Sequence, residues 1–327
     1  MVCGGRPRIA RATGGLDVGD EVAVQHQVRV LLSTGGYATP QTLDAWHFAW
    51  NGRTYRGTYA TVPFADGRNA LVNTLPLDAY LYGVLSKEVS AAWAPGAQQA
   101  QAIVARTYAL LKLRPEKAYD VTPGDADQNY GGIEGETVEG RAAVDATAGV
   151  IVTYDGLPAR VAYSSCCGGR TADAGEVWDT PYPYLRSIVD PNCANTPDYA
   201  WRADVPLTLV EGALGKQLAS CGAVRSVSLH ADDPAARPRT IEFVGKSSTL
   251  ETPVAQFRTA VSPTLVRSTY IRDAALGSQG RSISLSGTGR GHGVGLCQWG
   301  TRMLGQSGMN AENIVAFYFP GIAFGRG

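Results

Sequence analysis

From residue 25 to 73 the apolar positions fall in short runs. Val28-Arg29-Val30-Leu31-Leu32, Trp46-His47-Phe48-Ala49-Trp50 and Thr54-Tyr55-Arg56-Gly57-Thr58-Tyr59 predict strands, and Asn51-Gly52 is a hairpin signal between the last two. The period then changes. Leu77, Leu81 and Val84 recur at helical spacing over 77–88, Pro76 suits a first turn, and Asp78 favours the positive end of the helix dipole. The chain breaks at Trp93-Ala94-Pro95-Gly96, and Pro95 opens an alanine-rich helix over 97–113. A polar stretch, 120–137, leads to a short helix over 141–147. A strand over 150–154 follows, turned by Asp155-Gly156 into 159–164. From 201 to 275 the pattern predicts helix at 207–219, strands at 224–230 and 240–244, and helix at 254–261. A last strand at 282–286 runs into a glycine-rich stretch, a helix over 296–304 and an apolar tail over 314–321.

These elements predict an α+β fold with no internal repeat. The core is β-rich with packed helices over 25–200, a smaller α+β lobe spans 201–280, and 281–327 carries the glycine-rich loop and a helix returning to the core. Residues 1–24 are expected to be disordered or processed.

One position breaks the pattern. Glu88 continues the stripe of Leu77, Leu81 and Val84 at i+11. A carboxylate on an apolar stripe is costly unless paired or protonated, and burial raises a carboxyl pKa. That is one route to a general acid. The competing reading is a frayed helix end with Glu88 in water. In the second helix Gln101 and Arg106 are polar but bordered by small residues. Arg106 is therefore either an anchor for backbone carbonyls or a ligand-facing donor.

Composition narrows the classes. The 327 residues suffice for a sizeable core; Lys plus Arg and Asp plus Glu number 29 each, so no global field recruits nucleic acid or anionic lipid. No apolar run is long enough to span a bilayer, and the first twenty residues lack the apolar core of a secretory signal. The stretch Gly287-Thr288-Gly289-Arg290-Gly291-His292-Gly293-Val294-Gly295 fails G-x-G-x-x-G spacing in every register. It fits a loop whose backbone packs closely or lines a cleft. No G-x-S-x-G elbow exists; Cys167 with His292 is a candidate thiol pair, set against the commoner buried cysteine. Tyr163-Ser164-Ser165 and Gln128 with Tyr130 are polar-aromatic sets suited to sugars, or ordinary strand and turn residues.

Together these residues carry a resemblance. Asn73-Thr74-Leu75-Pro76-Leu77, Tyr80-Leu81, Glu88, Trp93, Ala100-Gln101-Ala102 and Ala105-Arg106-Thr107-Tyr108 resemble the core of the SpoIID/LytB family of bacterial cell-wall proteins. Asp127-Gln128-Asn129-Tyr130-Gly131-Gly132 and the run from Ala162 to Thr171 continue it. Glu176-Val177-Trp178, Tyr184-Leu185-Arg186-Ser187, Asp190, Cys193 and Gly291-His292-Gly293 follow in order. The resemblance implies a lytic transglycosylase that cleaves glycan strands of peptidoglycan between N-acetylmuramic acid and N-acetylglucosamine. Glu88 would be the single general acid/base; Gln101, Arg106, Gln128, Tyr130, Tyr163, Ser164, Ser165 and His292 would position substrate. Asp125, Asp127 and Glu134 are the carboxylates able to fold nearby. The alternative is a non-catalytic modifier that assists a cell-wall amidase. Either implies an extracytoplasmic location, hence a processed or trimmed chain or a misplaced start, and no cofactor. For an exported chain, one of Cys166 and Cys167 is expected to bridge Cys193. Zinc is the lesser alternative, since no histidine lies near the pair and no C-x2-C spacing exists.

Overall fold

Alternation in the first strand, Gln27–Thr34, turns Val28 and Val30 into the core. A computed structural model describes residues 26–64, 67–124, 126–233 and 236–327, so the expectation for 1–24 lies outside the described residues. Gln27–Thr34 pairs antiparallel with Asn69–Pro76, which pairs on its other edge with Thr58–Pro63. The hairpin His47–Trp50 to Arg53–Arg56 turns on Asn51 and Gly52, both at positive φ. The single strand expected over 54–59 is two strands. Gly57, at φ 83°, breaks it, and a side chain there would collide with the Thr74 carbonyl.

Helix α1 (Leu77–Glu88) buries Leu77, Tyr80, Leu81, Val84 and Leu85 against this sheet. Helix α2 (Pro95–Leu110) starts at its proline and buries Ala97, Ala100, Ala102, Ala105 and Ala109. Those small side chains let α1, α3 (Val138–Ala146), α7 (Gln298–Gln306) and α8 (Ala311–Tyr318) all pack on it. At α7 the approach is close, and Gly305 has no room for a methyl group beside Ala97. A second core surrounds the strand Val150–Tyr154, which pairs with the terminal strand Ala323–Arg326, and it takes in Ile314, Val315, Tyr318 and Phe319. The apolar tail therefore docks as α8 and a closing strand.

A third core belongs to the chain after residue 200. Ala200–Pro206, Ser282–Thr288 and Ile271–Leu276 form one antiparallel sheet; Val224–His230, Thr240–Gly245 and Thr249–Pro253 form another. Helices α5 (Leu207–Ala219) and α6 (Val254–Val261) pack on each other, α5 also on the first of these sheets and α6 on the second, through Val210, Leu214, Phe257 and Val261. Strand Ser282–Thr288, read from the sequence as the return to the core, pairs here with the lobe's first strand. The fold is α+β, and among the described residues its small sheets are antiparallel apart from one short parallel pair.

Candidate active site

That parallel pair sets the site. Tyr163–Ser164 lies beside Leu296–Cys297, with Leu296 opposite Tyr163 and Cys297 opposite Ser164. The glycine-rich stretch reaches this position by running along residues 162–167. The Arg290 amide donates to the Cys166 carbonyl, the Leu296 amide to the Ala162 carbonyl, and the Gly293 amide to the Ser164 hydroxyl. Gly291 and Gly295 adopt φ 101° and 71°, and any side chain would strike Ser164 or the Ala162 carbonyl. The stretch is thus a backbone ribbon pressed on a strand, as its alternating glycines predict.

Beside it a cleft of about 830 Å³ opens between the helical core and the lobe. Glu88, Tyr108, Asn129, Tyr163, Ser164, Ser165 and Gln298 line one side; Arg258, Thr264 and Arg267 come from the lobe, and Arg290 and His292 from the ribbon. The stripe of Leu77, Leu81 and Val84 is buried, but Glu88, the last residue of α1, is only half-buried and turns into this cleft. The Asn129 amide donates to Glu88 Oε1 and Gln298 Nε2 to Oε2, each at 3.2 Å. The carboxylate is therefore fixed in direction from both the 120–137 segment and the start of α7.

Tyr163, Ser164, Ser165 and His292 are brought together on the cleft. Tyr163 is hemmed in, its hydroxyl accepts from Gln128 Nε2 at 3.1 Å, and burial pushes its phenol pKa up. Ser165 donates to Asp198 Oδ2 at 2.6 Å. Burial works against the Asp198 carboxylate, yet bonds from Ser165, Trp299 and Arg290 hold its pKa below the usual range. His292 accepts the Val294 amide on Nδ1 at 3.0 Å, which puts its neutral-form proton on Nε2, and its ring meets Trp178. Burial first, then Arg258 and Arg237, lower its pKa to about 4, so the imidazole is neutral at neutral pH.

Four expected substrate residues lie elsewhere. Arg106 is buried inside α2; Nε donates to Asp78 Oδ1 at 2.8 Å, Nη1 to the Val150 carbonyl and Thr147, and Nη2 to the Val144 carbonyl. Of the two roles open to it, the geometry is that of the anchor. Gln101 is fully buried, and its amide has no hydrogen-bond partner among the described residues. Gln128 is buried behind Tyr163 and bonds Tyr163, Tyr80 and the Ala105 carbonyl. Tyr130 packs on Tyr80 and Tyr55 under α1 and donates to Asn73. In each case packing closes over a polar group, and at Gln101 and Arg106 the small neighbours leave that group visible in the sequence. The missed site residues are Asn129, Asp198 and Gln298. Asn129 lies inside a quoted motif, whereas nothing in local sequence links Gln298 to Glu88, 210 positions away.

Among the other carboxylates, Asp127 lines the cleft but pairs with Lys112 at 2.9 Å; Glu134 instead caps the Thr54 amide, and Asp125 lies outside the described residues. Cys167 is fully buried, away from the cleft, so the structure does not pair it with His292. Cys166, Cys167, Cys193, Cys221 and Cys297 are free thiols. Cys167 Sγ and Cys193 Sγ are 3.4 Å apart, unlike the roughly 2.05 Å of a disulfide.

The family model described as Stage II sporulation protein matches residues 65–154, which carry Glu88, Asn129 and all of α1 and α2. An uncharacterised protein of Brachyspira hyodysenteriae is 31% identical over 278 residues, 84% of this chain and 73% of that protein. Stage II sporulation protein D of Bacillus subtilis is 26% identical over 294 residues, covering 82% and 80%. The amidase enhancer of the same organism is 27% identical over 289 residues, 74% of this chain but 39% of that longer protein. With 31% identity over 84% of this chain and 73% of the Brachyspira protein, and the family-model match beside it, the chain belongs to the SpoIID/LytB family.

Proposed function

We propose that the protein acts on the bacterial cell wall outside the cytoplasm as a lytic transglycosylase of peptidoglycan glycan strands. The observation that carries this reading is Glu88, aimed into a sugar-sized cleft and gripped by the Asn129 amide and Gln298. Most glycosidases need two carboxyl groups, one of them for water or for a covalent intermediate. Here the other cleft carboxylates, Asp127 and Asp198, are engaged by Lys112 and by Ser165, Trp299 and Arg290. A single acid suffices when the nucleophile is the muramic acid's own C6 hydroxyl. Protonated Glu88 gives its proton to the glycosidic oxygen as that bond breaks. As carboxylate it then takes the proton of the C6 hydroxyl, whose oxygen bonds to the anomeric carbon to leave a 1,6-anhydro end. No water is consumed and no cofactor enters. Tyr163, Ser164, Ser165 and neutral His292 supply hydroxyl and imidazole groups along the sugar path.

The cleft also carries Lys87, Arg160, Arg258, Arg267 and Arg290 against three carboxylates. That excess suits the lactyl carboxylate of muramic acid on strands freed of stem peptides, where the lactyl group is no longer an amide. The test is digestion of purified glycan strands, with and without stem peptides, followed by mass spectrometry. Anhydromuramyl ends are expected, and Glu88→Gln is expected to lower their formation by about 10²–10⁴-fold. Full activity of that variant, or ordinary reducing muramic ends, defeats the mechanism.

The second reading is a peptidoglycan-binding helper of an amidase, and the similarity to a protein named amidase enhancer favours it. Such a protein binds glycan, leaves it intact and accelerates a partner hydrolase. The same digest, run with and without an amidase, separates the two.

A further inference from the structure

Behind the cleft, out of reach of substrate, four side chains from three separate segments converge. Cys167 follows the Tyr163–Ser165 wall; Asp190 and Cys193 flank and end a single 3-10 turn, Pro191–Cys193; Cys297 caps α7. All four are essentially fully buried, and one ligand atom from each lies within 4.8 Å of the others. Cys167 Sγ is 3.4 Å from Cys193 Sγ and 3.2 Å from Asp190 Oδ2. In a tetrahedral zinc site with Zn–S bonds near 2.3 Å the ligand atoms stand about 3.8 Å apart, so small shifts would seat an ion among them.

We propose that Cys167, Asp190, Cys193 and Cys297 form a structural zinc site. The donor set is three soft thiolates and one carboxylate, which suits zinc and not magnesium or calcium. Four protein ligands close the coordination sphere, as expected of a structural ion rather than a catalytic one.

The surroundings are those of a metal centre rather than of a disulfide. A disulfide would use two of the three thiols and leave Asp190 unexplained. Asp190 is fully buried, and its side-chain partners among the described residues are neutral: the amide and side chain of Asn192 on Oδ1, and the Cys167 thiol at 3.2 Å and the Tyr318 hydroxyl at 2.9 Å on Oδ2. A buried carboxylate without a cation is costly, and a divalent ion beside Oδ2 would supply one. The Tyr318 bond then fixes the ligating oxygen, as outer-shell partners do around metals. Cys297 Sγ already accepts the Cys167 amide at 3.2 Å and the Gly300 amide at 3.4 Å. Gly300 must be glycine, because a side chain would strike the Tyr318 hydroxyl and Asp190 Oδ2. Three thiolates, a carboxylate and a divalent ion leave a net negative cluster. The buried guanidinium of Arg237, which donates to the Cys167 carbonyl, lies against it.

The site would act as a rivet. Ser165 and Gln298 each lie within two residues of a ligand, and Gln298 holds Glu88. The ion therefore ties the strand wall and the start of α7 into one rigid backing for the cleft. This positioning role rests on the proposed function, whereas the metal site itself does not.

The test is made on the full chain purified without chelator from a zinc-supplemented host. Elemental analysis is expected to give about one zinc per chain. The cobalt-exchanged protein should show thiolate-to-cobalt charge transfer and the intense visible bands of a tetrahedral centre. Cys193→Ser and Cys297→Ser should lose the ion, while Cys221→Ser, a buried thiol outside the cluster, should keep it. Should the ligand variants fail to fold, the wild-type chain decides. Chelation must lower its thermal midpoint, and zinc but not magnesium must restore it. A zinc-free wild-type chain, or an intact mass showing a native disulfide through Cys167, Cys193 or Cys297, overturns the proposal whatever the glycan digest shows.

Discussion

At Arg106 a single side chain stitches three elements. Its guanidinium is buried, yet it meets Asp78 of α1 and carbonyls at Val144 and Val150, so each of its nitrogens is engaged as a structural anchor requires. Removing one partner of such a buried set costs about 3–5 kcal/mol. Arg106→Ala is therefore expected to lose that much stability in urea unfolding; an unchanged midpoint with lost activity would put the residue back at the substrate. His292 makes a second prediction. Its folded pKa, about 4, lies below the unfolded value near 6.5, so the unfolded chain binds the extra proton between those limits. The histidine's contribution is intact above pH 6.5 and falls away as pH drops toward 4, by about 3 kcal/mol in all. His292→Gln should flatten that part of the stability profile, and a profile identical to wild type would contradict it. Glu88 shows how far single positions can be read. Its helical phase was legible, and so was its departure from the apolar pattern. Its orientation was not, because the groups that turn it into the cleft arrive from Asn129 and from Gln298.

Helices and strands with a clean period were legible almost to the residue. The stripe of α1, the span of α5, the strand Val224–His230 and all of α6 follow from spacing, since each has one face on a core. Elements that escaped notice have weak patterns. Thr249–Pro253 and Ile271–Leu276 are mostly exposed, and their pairing partners rather than their composition make them strands. The same logic explains the cysteines, whose joint position depends on a 130-residue separation that no local motif records. Packing of α7 on α2 offers a test at this scale. Gly305→Leu must push α7 off Ala97, and overpacking of this kind typically costs about 1–3 kcal/mol. Because Gln298 begins that helix, the variant should lose activity beyond what its lowered urea midpoint explains. Equal kcat for folded variant and wild type would mean that α7 does not position Glu88.

On the scale of the whole molecule, charge is balanced overall yet uneven in place. The 29 basic and 29 acidic residues cancel, but the cleft gathers five cations to three carboxylates, with Arg258 and Arg267 contributed by the lobe. If those two arginines engage the lactyl carboxylate, Arg258→Ala with Arg267→Ala should raise KM about 10-fold or more at low salt and lose that effect at high salt. A chitin-derived strand, which has no lactyl group, should be indifferent to the change. The helices Leu207–Ala219 and Val254–Val261 and the strands Val224–His230 and Thr240–Gly245 were legible from their own periodicities. The lobe's contribution to the cleft was not, because a one-dimensional pattern carries no information about which surfaces face each other.

The bond from Gln298 to Glu88 joins positions 210 residues apart, and the parallel strand pair beside it joins 163–164 to 296–297. Contacts of such long range form late, since chain closure over that distance must precede any gain from them. A ribosome or export channel releases the N-terminal part first, with Glu88 already on a formed helix but without its second grip. On the proposed reading of Glu88 as the acid, the chain becomes competent only when its final segment has folded home, and an incomplete copy would be inert toward the envelope of the cell that makes it. In refolding from urea, cleavage of glycan should recover after the helical circular dichroism signal, and simultaneous recovery would argue that the site assembles early.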